Sequence, residues 1–435
     1  MSEKSETLKK YYRTYDYNSR RPVFIKPEDL SEQQAFRLME SDYFCMIPWT
    51  HIHGFPTGEA YPCCLAEMNY PIGDMKTNTL EEIWNGERYT NMRKNMLEDK
   101  PCVECTRCYE QEKNGFFSMR NSHNKHFGHH IPKVDQGANP KFEVTYWDIR
   151  FSNLCNLSCR SCGDIFSSNW VKENKAFGVT DKKAPNVVYA GRFKMDIWEQ
   201  MQPHLDTIEQ VYFAGGEPLM MEEHYLILKS LIEAERFDVR LIYNTNFSKI
   251  QYKDQNVLDA WKLFESVSIG ASLDAMGPRA ENMRKGTVWA DVERNREQML
   301  EKCPNVDFYI SPTLSLLNSY HIVDFHKDWV QKGFLKPHEL NVNILQSPEY
   351  YRLDVLPQNM KEEIAQLYDD HINWLEPQDN LTRATNGFKS AVDFMMANDN
   401  SELLPKFRSY TDKLDIRRNE MTYETFPELE RLAHG

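Results

Sequence analysis

The sequence has no run of roughly 18 consecutive apolar residues, the length that a membrane-spanning helix needs. It also has no excess of basic residues. The formal net charge is -13 at pH 7, and an extended nucleic-acid surface needs positive charge. The first residues, MSEKSETLKKYYR, lack the apolar stretch of a secretory signal. These absences predict a cytoplasmic protein that does not cross a membrane and makes no extensive contact with nucleic acid.

Cysteine is almost absent from the second half of the chain, where Cys303 stands alone, and all nine other cysteines precede residue 163. In a cytoplasmic protein, such a set more often binds metal than forms disulfides. Cys303 lies four residues after Met299 on one predicted helix face, so we interpret it as a buried structural residue. The 435 residues, 41% of them hydrophobic and 27% charged, are typical of a globular protein with two or three domains.

Three of the early cysteines lie close together in the segment CNLSCRSC, directly after a predicted strand. They are Cys155, Cys159 and Cys162. Thiolates bind soft metals, and this spacing lets one loop place three of them around one centre. Structural zinc usually has four protein ligands, whereas three ligands on one loop leave a fourth position open for chemistry.

Strands and helices alternate from Phe142 onward. The predicted strands cover residues 146–152, 210–215, 239–245, 266–273, 306–314 and 339–345, and helical patterns between them are clearest in EEHYLILKSLIEAER and VWADVERNREQMLEKC. This alternation predicts parallel βαβ units, and six units match a partial (β/α)6 barrel. The active site of an α/β barrel lies at the C-terminal ends of its strands. The three cysteines, the GGEP segment at 215–218, the NTN segment at 244–246 and the SLD segment at 272–274 all lie at such ends.

The three-cysteine segment after one strand and GGEP after the next together resemble the radical S-adenosylmethionine (SAM) superfamily. The resemblance implies that Cys155, Cys159 and Cys162 hold a [4Fe-4S] cluster whose fourth iron is chelated by SAM. It further implies that an electron from the cluster cleaves SAM, giving a 5'-deoxyadenosyl radical that abstracts hydrogen from a substrate. The implied core is a partial (β/α)6 TIM-like barrel.

The resemblance also suggests residues that contact SAM. In the family, the GGE backbone and often its glutamate contact the SAM ammonium, and small polar groups at strand ends suit the ribose hydroxyls or the methionine carboxylate. A guanidinium pairs bidentately with a carboxylate, so Arg284 is a candidate for the methionine end, with an ordinary surface arginine as an equal alternative. The SAM-binding candidates are Gly215, Gly216, Glu217, Pro218, Asn246, Ser272, Asp274 and Arg284.

The cysteine-rich segment before residue 130 resembles the SPASM/twitch module of radical SAM enzymes. The resemblance is carried by CxxPW, then GxxxxCC, then a Leu-Glu-Glu-Ile-Trp-Asn helix, then CxxC. It implies an auxiliary [4Fe-4S] cluster, although the module often follows the core and here precedes it. Six cysteines are present where one cluster needs about four, and a zinc knuckle built from the same residues is the alternative. The chosen ligands are Cys45, Cys63, Cys105 and Cys108, and Cys64 and Cys102 stay open.

The predicted organisation is a cysteine-rich SPASM/twitch-like domain at 1–130, a radical SAM core at 142–347 and a C-terminal helical extension at 348–435. Residues 121–141 lack periodicity and are predicted to be a linker with solvated histidines, and a metal site made of His123, His126, His129 and His130 is the alternative. The resemblance implies an external one-electron donor of the flavodoxin or ferredoxin type, and a peptide, protein or small-molecule substrate. The alternatives are a zinc-stabilised binding protein without catalysis on an α/β scaffold, and a radical SAM scaffold that has lost its reaction.

Overall fold

The computed structural model describes residues 29–433, and an eight-stranded sheet lies at the centre of this range. The strands of the sheet lie in the order β12-β10-β7-β6-β4-β1-β2-β3. In chain order, the strands of the described residues are β1 His51–Gly54, β2 Glu59–Tyr61, β3 Gly73–Asp74, β4 Tyr146–Ile149, β5 Ser158–Cys159, β6 Gln210–Phe213, β7 Arg240–Thr245, β8 Gln251–Tyr252, β9 Gln255–Asn256, β10 Val267–Ala271, β11 Arg284–Lys285, β12 Asp307–Ile310, β13 Thr313–Leu314 and β14 Asn343–Ile344.

The sheet is mainly parallel. Strands β1, β4, β6, β7, β10 and β12 all run in one direction, and only β2 and β3 are antiparallel to their neighbours. Beyond β12 lies the parallel pair β13 and β14. A bridge between Ile310 at the end of β12 and Leu340 links the sheet to this pair. The alternating pattern therefore correctly predicted a mixed α/β fold, and each of the six predicted strands contains a strand of the structure.

Helices connect the parallel strands and cover the chain ends. In chain order they are α1 Glu32–Met39, α2 Leu80–Trp84, α3 Glu87–Leu97, α4 Thr106–Lys113, α5 Met119–Phe127, α6 Ser168–Ala176, α7 Asp196–Met201, α8 Glu222–Glu233, α9 Val257–Trp261, α10 Gly277–Met283, α11 Trp289–Lys302, α12 Ile322–Gln331, α13 Gln358–Leu375, α14 Arg383–Ala397, α15 Leu404–Arg418 and α16 Thr422–Thr425. The helical patterns seen in EEHYLILKSLIEAER and VWADVERNREQMLEKC correspond to α8 and α11. None of the described helices is long and apolar enough to cross a membrane.

The predicted linker at 121–141 is wrong over most of its length. Helix α5 continues into a 3-10 helix over Gly128–Gln136, and the helical segment buries Phe127, Ile131 and Val134 in the core. Apolar residues spaced by three and four positions form this buried face, which the surrounding histidines obscured in the sequence. The domain boundaries at residues 130, 142 and 347 stay predictions.

Strand β1 of the cysteine-rich segment lies directly beside β4, the first strand after it. The two pair in parallel, with His51 opposite Tyr146 and His53 opposite Asp148. One continuous hydrophobic core runs from Leu38 to Leu432 and includes residues of the cysteine-rich, central and C-terminal segments. The cysteine-rich segment is therefore joined to the central sheet and packs in the main core, whereas Cys155 and Cys159 pack with Leu157 and Cys162 in a small cluster of their own.

Candidate metal centres

The three cysteines of CNLSCRSC lie in the loop that follows β4. Cys155 precedes β5 and Cys159 belongs to it. Cys162 follows in a turn, and its N–H donates to the carbonyl of Cys159. Burial raises the pKa of all three thiols, in the case of Cys159 to about 12 although Arg284 nearby lowers it. Such thiols carry a proton at neutral pH unless a bound cation stabilises their charge.

Three N–H groups point at the sulfur atoms of this loop. The backbone N–H of Leu157 lies 3.5 Å from Cys155 Sγ, and Asn246 Nδ2 lies 3.9 Å from the same sulfur. Arg284 Nη1 lies 3.7 Å from Cys159 Sγ. N–H donors to thiolate sulfur are typical of iron–sulfur sites, where they tune the reduction potential of the cluster. The donor set therefore fits an iron–sulfur cluster.

Helix α6 holds the carbonyl groups of the same loop. The hydroxyl of Ser167, the residue before α6, donates to the carbonyl of Leu157, and the indole N–H of Trp170 donates to that of Cys159 at 2.9 Å. Ser168 Oγ accepts from the N–H of Cys155 at 3.2 Å and lies at the same distance from its carbonyl oxygen. These bonds fix the loop before any ligand is bound, so the three thiols are preorganised.

The glycines of GGEP let the end of β6 touch the cysteine loop. A Cβ atom at Gly216 would lie 2.2 Å from the carbonyl oxygen of Leu154, and the N–H of Glu217 donates to that oxygen at 2.7 Å. Gly215 has a φ of +123°, a backbone conformation that residues with a side chain rarely adopt. Pro218 then starts a 3-10 turn. At Gly216 the backbone of GGEP therefore lies directly against the loop that carries Cys155.

The Glu217 side chain links the end of β6 to the end of β7. Its buried carboxylate accepts from Thr245 Oγ1 at 2.6 Å, from the N–H of Asn246 at 2.7 Å and from the N–H of Leu219 at 3.1 Å. Burial raises the pKa of Glu217 to about 7, and these donors oppose the increase. The carboxylate thereby positions Asn246, whose amide reaches Cys155.

We expect Glu217→Gln to remove a pH dependence from the stability of the cluster-free chain. A carboxyl with a raised pKa binds its proton more tightly in the folded than in the unfolded chain. Its stabilising contribution is therefore complete below pH 4.5, the ordinary pKa of the group, and is lost as the pH rises through about 7. This contribution amounts to at most about 3 kcal/mol. Urea unfolding at several pH values should show this loss in the parent chain only, and equal pH slopes in both chains would contradict the expectation.

Arg284 is already paired with another candidate residue. Its Nε and Nη2 atoms donate to the two carboxylate oxygens of Asp274 at 2.7 and 2.9 Å, and Asp274 also accepts from the N–H of Thr313. The bidentate contact predicted for a methionine carboxylate is thus made to Asp274, and only Nη1 faces the cysteine loop. Ser272 lies at the end of β10, and its N–H donates to the carbonyl of Thr245.

The thiols of the cysteine-rich segment also lie near one another, with Cys64 beside Cys63 and Cys102 near Cys105. Burial, followed by the proximity of other thiolates, raises the pKa of Cys63 and Cys105 well above its ordinary value, and Cys45 and Cys108 are among the neighbours of both. Cys45 precedes a 3-10 turn at Ile47–Trp49, Cys63 follows β2, and Cys105 and Cys108 flank the start of α4. These are the four residues chosen from the sequence as auxiliary ligands.

The two remaining cysteines of this segment have other surroundings. The sulfur of Cys102 lies 3.6 Å from the carbonyl of Met92, and burial and then Glu104 raise its pKa to about 12. The pKa of Cys64 is raised to about 11 by burial and then by Asp148, a residue of β4. Cys64 thus interacts with Asp148, although it also lies near Cys63 and Cys108, and Cys102 lies near Cys105.

A buried polar cluster on β1 and β4 was not predicted. His53 Nδ1 lies 2.9 Å from Asp148 Oδ2, and Arg150 Nε lies 3.0 Å from the other oxygen of that carboxylate. Although burial alone would raise it, Arg150 and His53 lower the pKa of Asp148 to about 2. His51 Nδ1 lies 2.7 Å from the carbonyl of Tyr146, and burial lowers the pKa of His51 to about 4. The alternation of polar residues in THIHG and YWDIR was the sequence signal for this face.

The solvated histidine loop is also corrected by the structure. His129 Nε2 and His130 Nε2 lie 2.8 and 2.9 Å from the two oxygens of the Glu209 carboxylate, just before β6. His123 and His126 belong to α5, and burial lowers the pKa of both. His129 and His130 fasten the helical segment to the start of β6, because their partner Glu209 lies far away in the chain.

Comparison with known proteins gives one family match. Residues 45–109 match the model of SPASM, an iron–sulfur cluster-binding domain. A search of curated protein sequences gives no match. Solved structures that are similar include native anSMEcpe with bound AdoMet, at 18% identity and a TM-score of 0.36 over 57% of this chain and 61% of that one. Another is Streptococcus suis SuiB bound to S-adenosylmethionine, at 11% identity and a TM-score of 0.33 over 63% of this chain and 59% of that one.

The chain thus spans about three fifths of the length of these two structures. The family match covers the segment in which CxxPW, the paired cysteines, the Leu-Glu-Glu-Ile-Trp-Asn helix and CxxC were found. It confirms the SPASM resemblance drawn from the sequence. Residues 45–109 of this chain are therefore similar to the SPASM family of iron–sulfur cluster-binding domains.

Proposed function

We propose that the protein is a radical SAM enzyme with an auxiliary iron–sulfur cluster in its SPASM domain. The observation that carries this proposal is the loop of Cys155, Cys159 and Cys162, which lies against the GGE backbone and in which the sulfur atoms of Cys155 and Cys159 receive N–H donors. The presence of a SPASM domain in the same chain supports it, because this module accompanies radical SAM cores.

The three thiols would hold a [4Fe-4S] cluster with one iron left open for SAM. Such a cluster supplies the electron that cleaves SAM to methionine and a 5'-deoxyadenosyl radical, which then takes a hydrogen atom from the substrate. Arg284, held by Asp274, would place positive charge beside Cys159, and Asn246, held by Glu217, would donate to Cys155. We keep Gly215, Gly216, Pro218 and Ser272 with them as the SAM-binding set.

The core of the proposed enzyme is a partial (β/α)6 barrel. The sequential order of β4, β6, β7, β10 and β12, followed by the pair β13 and β14, supports this arrangement. All the proposed SAM-binding residues follow the C-terminal ends of these strands or lie in the loops beyond them, as expected for an active site in an α/β barrel.

We propose Cys45, Cys63, Cys105 and Cys108 as the auxiliary cluster ligands. Alanine at any one of these positions is expected to lower the iron content by about four atoms per chain, because a cluster that lacks one thiolate is unstable. Alanine at Cys64 or Cys102 should leave the iron content unchanged, and these two variants are the matched controls. Iron analysis of anaerobically purified variants decides the assignment, and loss of iron in a control would show that the set is wrong.

The proposed enzyme needs an external one-electron donor, such as a flavodoxin or a ferredoxin, to reduce the core cluster. We propose a cytoplasmic location, where thiols stay reduced. The substrate is a peptide, a protein or a small metabolite.

The SPASM match favours an enzyme with an iron–sulfur cluster over a zinc-stabilised binding protein, the alternative function that the sequence left open.

The test is the iron, sulfide and zinc content of anaerobically purified protein, followed by an assay for 5'-deoxyadenosine with SAM and dithionite. Roughly eight irons and eight sulfides per chain, with 5'-deoxyadenosine formed, support the proposed enzyme. About four irons with one zinc would make the SPASM domain a structural zinc site. Zinc without iron would contradict the proposal.

A further inference from the structure

The C-terminal segment contacts the cysteine loop through a buried arginine. Arg160 lies between Cys159 and Cys162, and its side chain is only 1% exposed. Its Nη2 atom lies 2.5 Å from Asp415 Oδ1 and 2.6 Å from Glu420 Oε2. Both carboxylates are more than 250 positions away in the chain. A buried guanidinium that lost these partners would be an unpaired charge, which is strongly destabilising.

A second arginine belongs to the C-terminal segment and contacts the cysteine loop. Arg418 at the end of α15 donates from Nη2 to the carbonyl of Ser158, the residue before Cys159, at 2.9 Å. Its guanidinium also contacts both oxygens of Glu173 in α6 at 2.7 and 3.0 Å, and lies 4.6 Å above the ring of Trp170. Trp170 in turn donates to the carbonyl of Cys159. Arg418 thus joins the C-terminal segment to the loop and to the helix that supports it.

Residues Asp415–Thr422, which we name the C-terminal latch, have a fixed shape of their own. Asp415 Oδ2 accepts from the N–H of Thr422 at 2.7 Å, and its Oδ1 accepts from the hydroxyl of the same residue. Asn419 ends α15 in the left-handed region with a φ of +53°, a conformation that asparagine tolerates. The turn brings Asp415, Arg418 and Glu420 to the same part of the cysteine loop.

We propose that the C-terminal latch positions the three-cysteine loop so that it can hold its metal cluster. The latch binds the loop at Ser158 and Arg160, on either side of Cys159, so its removal would take away two of the contacts that hold the middle of the CxxxCxxC segment. Asp415, Arg418 and Glu420 are positioning residues, because they act through the loop that carries the cysteines. The nature of the cluster rests on the proposed function, whereas the contact between latch and loop is seen in the structure.

The test compares the double variant Asp415→Asn, Glu420→Gln with Glu428→Gln as the matched control. Glu428 lies in the same C-terminal segment and pairs with Arg279 at 2.5 Å rather than with a residue of the cysteine loop. Hydrogen exchange of loop peptides in the cluster-free chain is expected to become tenfold faster or more in the double variant only. After anaerobic reconstitution, that variant should keep the SPASM iron and lose about four irons. It should also lose the electron paramagnetic resonance signal of the core cluster.

If hydrogen exchange of the loop and the iron content were both unchanged in the double variant, the proposed role of the latch would be wrong. Should that variant fail to fold, as judged by circular dichroism, Arg160→Lys replaces it. Lysine keeps the charge but cannot bridge two carboxylates with a planar fork, so we expect faster exchange and a shifted reduction potential of the core cluster. Parent-like exchange and potential in Arg160→Lys would then overturn the latch. An iron-free parent chain would contradict the proposed function, while the exchange comparison would still decide on the latch.

Discussion

Cys159→Ala is expected to abolish 5'-deoxyadenosine formation and to lower the iron content from about eight to about four atoms per chain. Cys159 is the middle thiol of its loop and is held from three directions. Its strand β5 pairs with β11, its carbonyl accepts from Trp170, and its sulfur faces Arg284. No cysteine follows nearby except Cys162, so the lost ligand has no substitute on the loop. The remaining four irons should belong to the SPASM domain.

The matched control for this variant is Cys303→Ala. Cys303 is also buried, but its sulfur lies 3.2 Å from the carbonyl of Leu258, in another part of the core. We expect this variant to keep parental iron content and activity, with a small loss of stability from the missing sulfur. Iron analysis and a chromatographic assay for 5'-deoxyadenosine measure both variants. Continued 5'-deoxyadenosine formation by Cys159→Ala would end the radical SAM proposal.

Gly216→Ala is expected to have a comparably large effect without removing any ligand. The added Cβ atom would lie 2.2 Å from the carbonyl oxygen of Leu154, which is backbone and cannot rotate away. Either β6 or the cysteine loop must move, and the hydrogen bond from Glu217 N–H to Leu154 would be lost with it. The expected result is loss of the core cluster and of 5'-deoxyadenosine formation, with lower thermal stability.

Gly163→Ala is the matched control, because Gly163 follows Cys162 in the same loop and a Cβ atom there would meet no atom within 4 Å. This variant should bind iron as the parent chain does. Iron content and the midpoint of thermal unfolding measure both glycine variants. If Gly216→Ala kept full iron content, the contact between GGEP and the cysteine loop would not be what positions Cys155.

The sequence predicted those parts of the site that depend on local patterns. Strand and helix periodicity located the six strands predicted after Phe142 but not β1, the parallel neighbour of β4, and the parallel arrangement then required the residues at the strand ends to meet at one edge. Glu217 is linked through Asn246 to Cys155, and Asp274 is linked through Arg284 to Cys159, as this rule implies. The SPASM segment was likewise recognised because its cysteines and helix follow one another within a short stretch of chain.

The partners of charged side chains could not be predicted in the same way. Arg284 was matched to a ligand carboxylate, yet Asp274 lies ten residues away and occupies its fork. The histidines at 129 and 130 were taken as solvated, yet Glu209 lies close to both. Any carboxylate in the chain satisfies the chemistry of such a cation, and only the folded backbone determines which one comes within reach.

The sequence by itself determined the three-cysteine loop, the glycine-rich strand end and the SPASM segment, because each depends on spacing within a few residues. Only the tertiary structure decided that β1 lies beside β4, that Glu217 supports Asn246, and that a C-terminal segment without recognisable motifs holds Arg160. These contacts join residues far apart in the chain. They form because a buried charge or an unpaired strand edge is costly, and the first complementary group that the fold brings near it removes that cost.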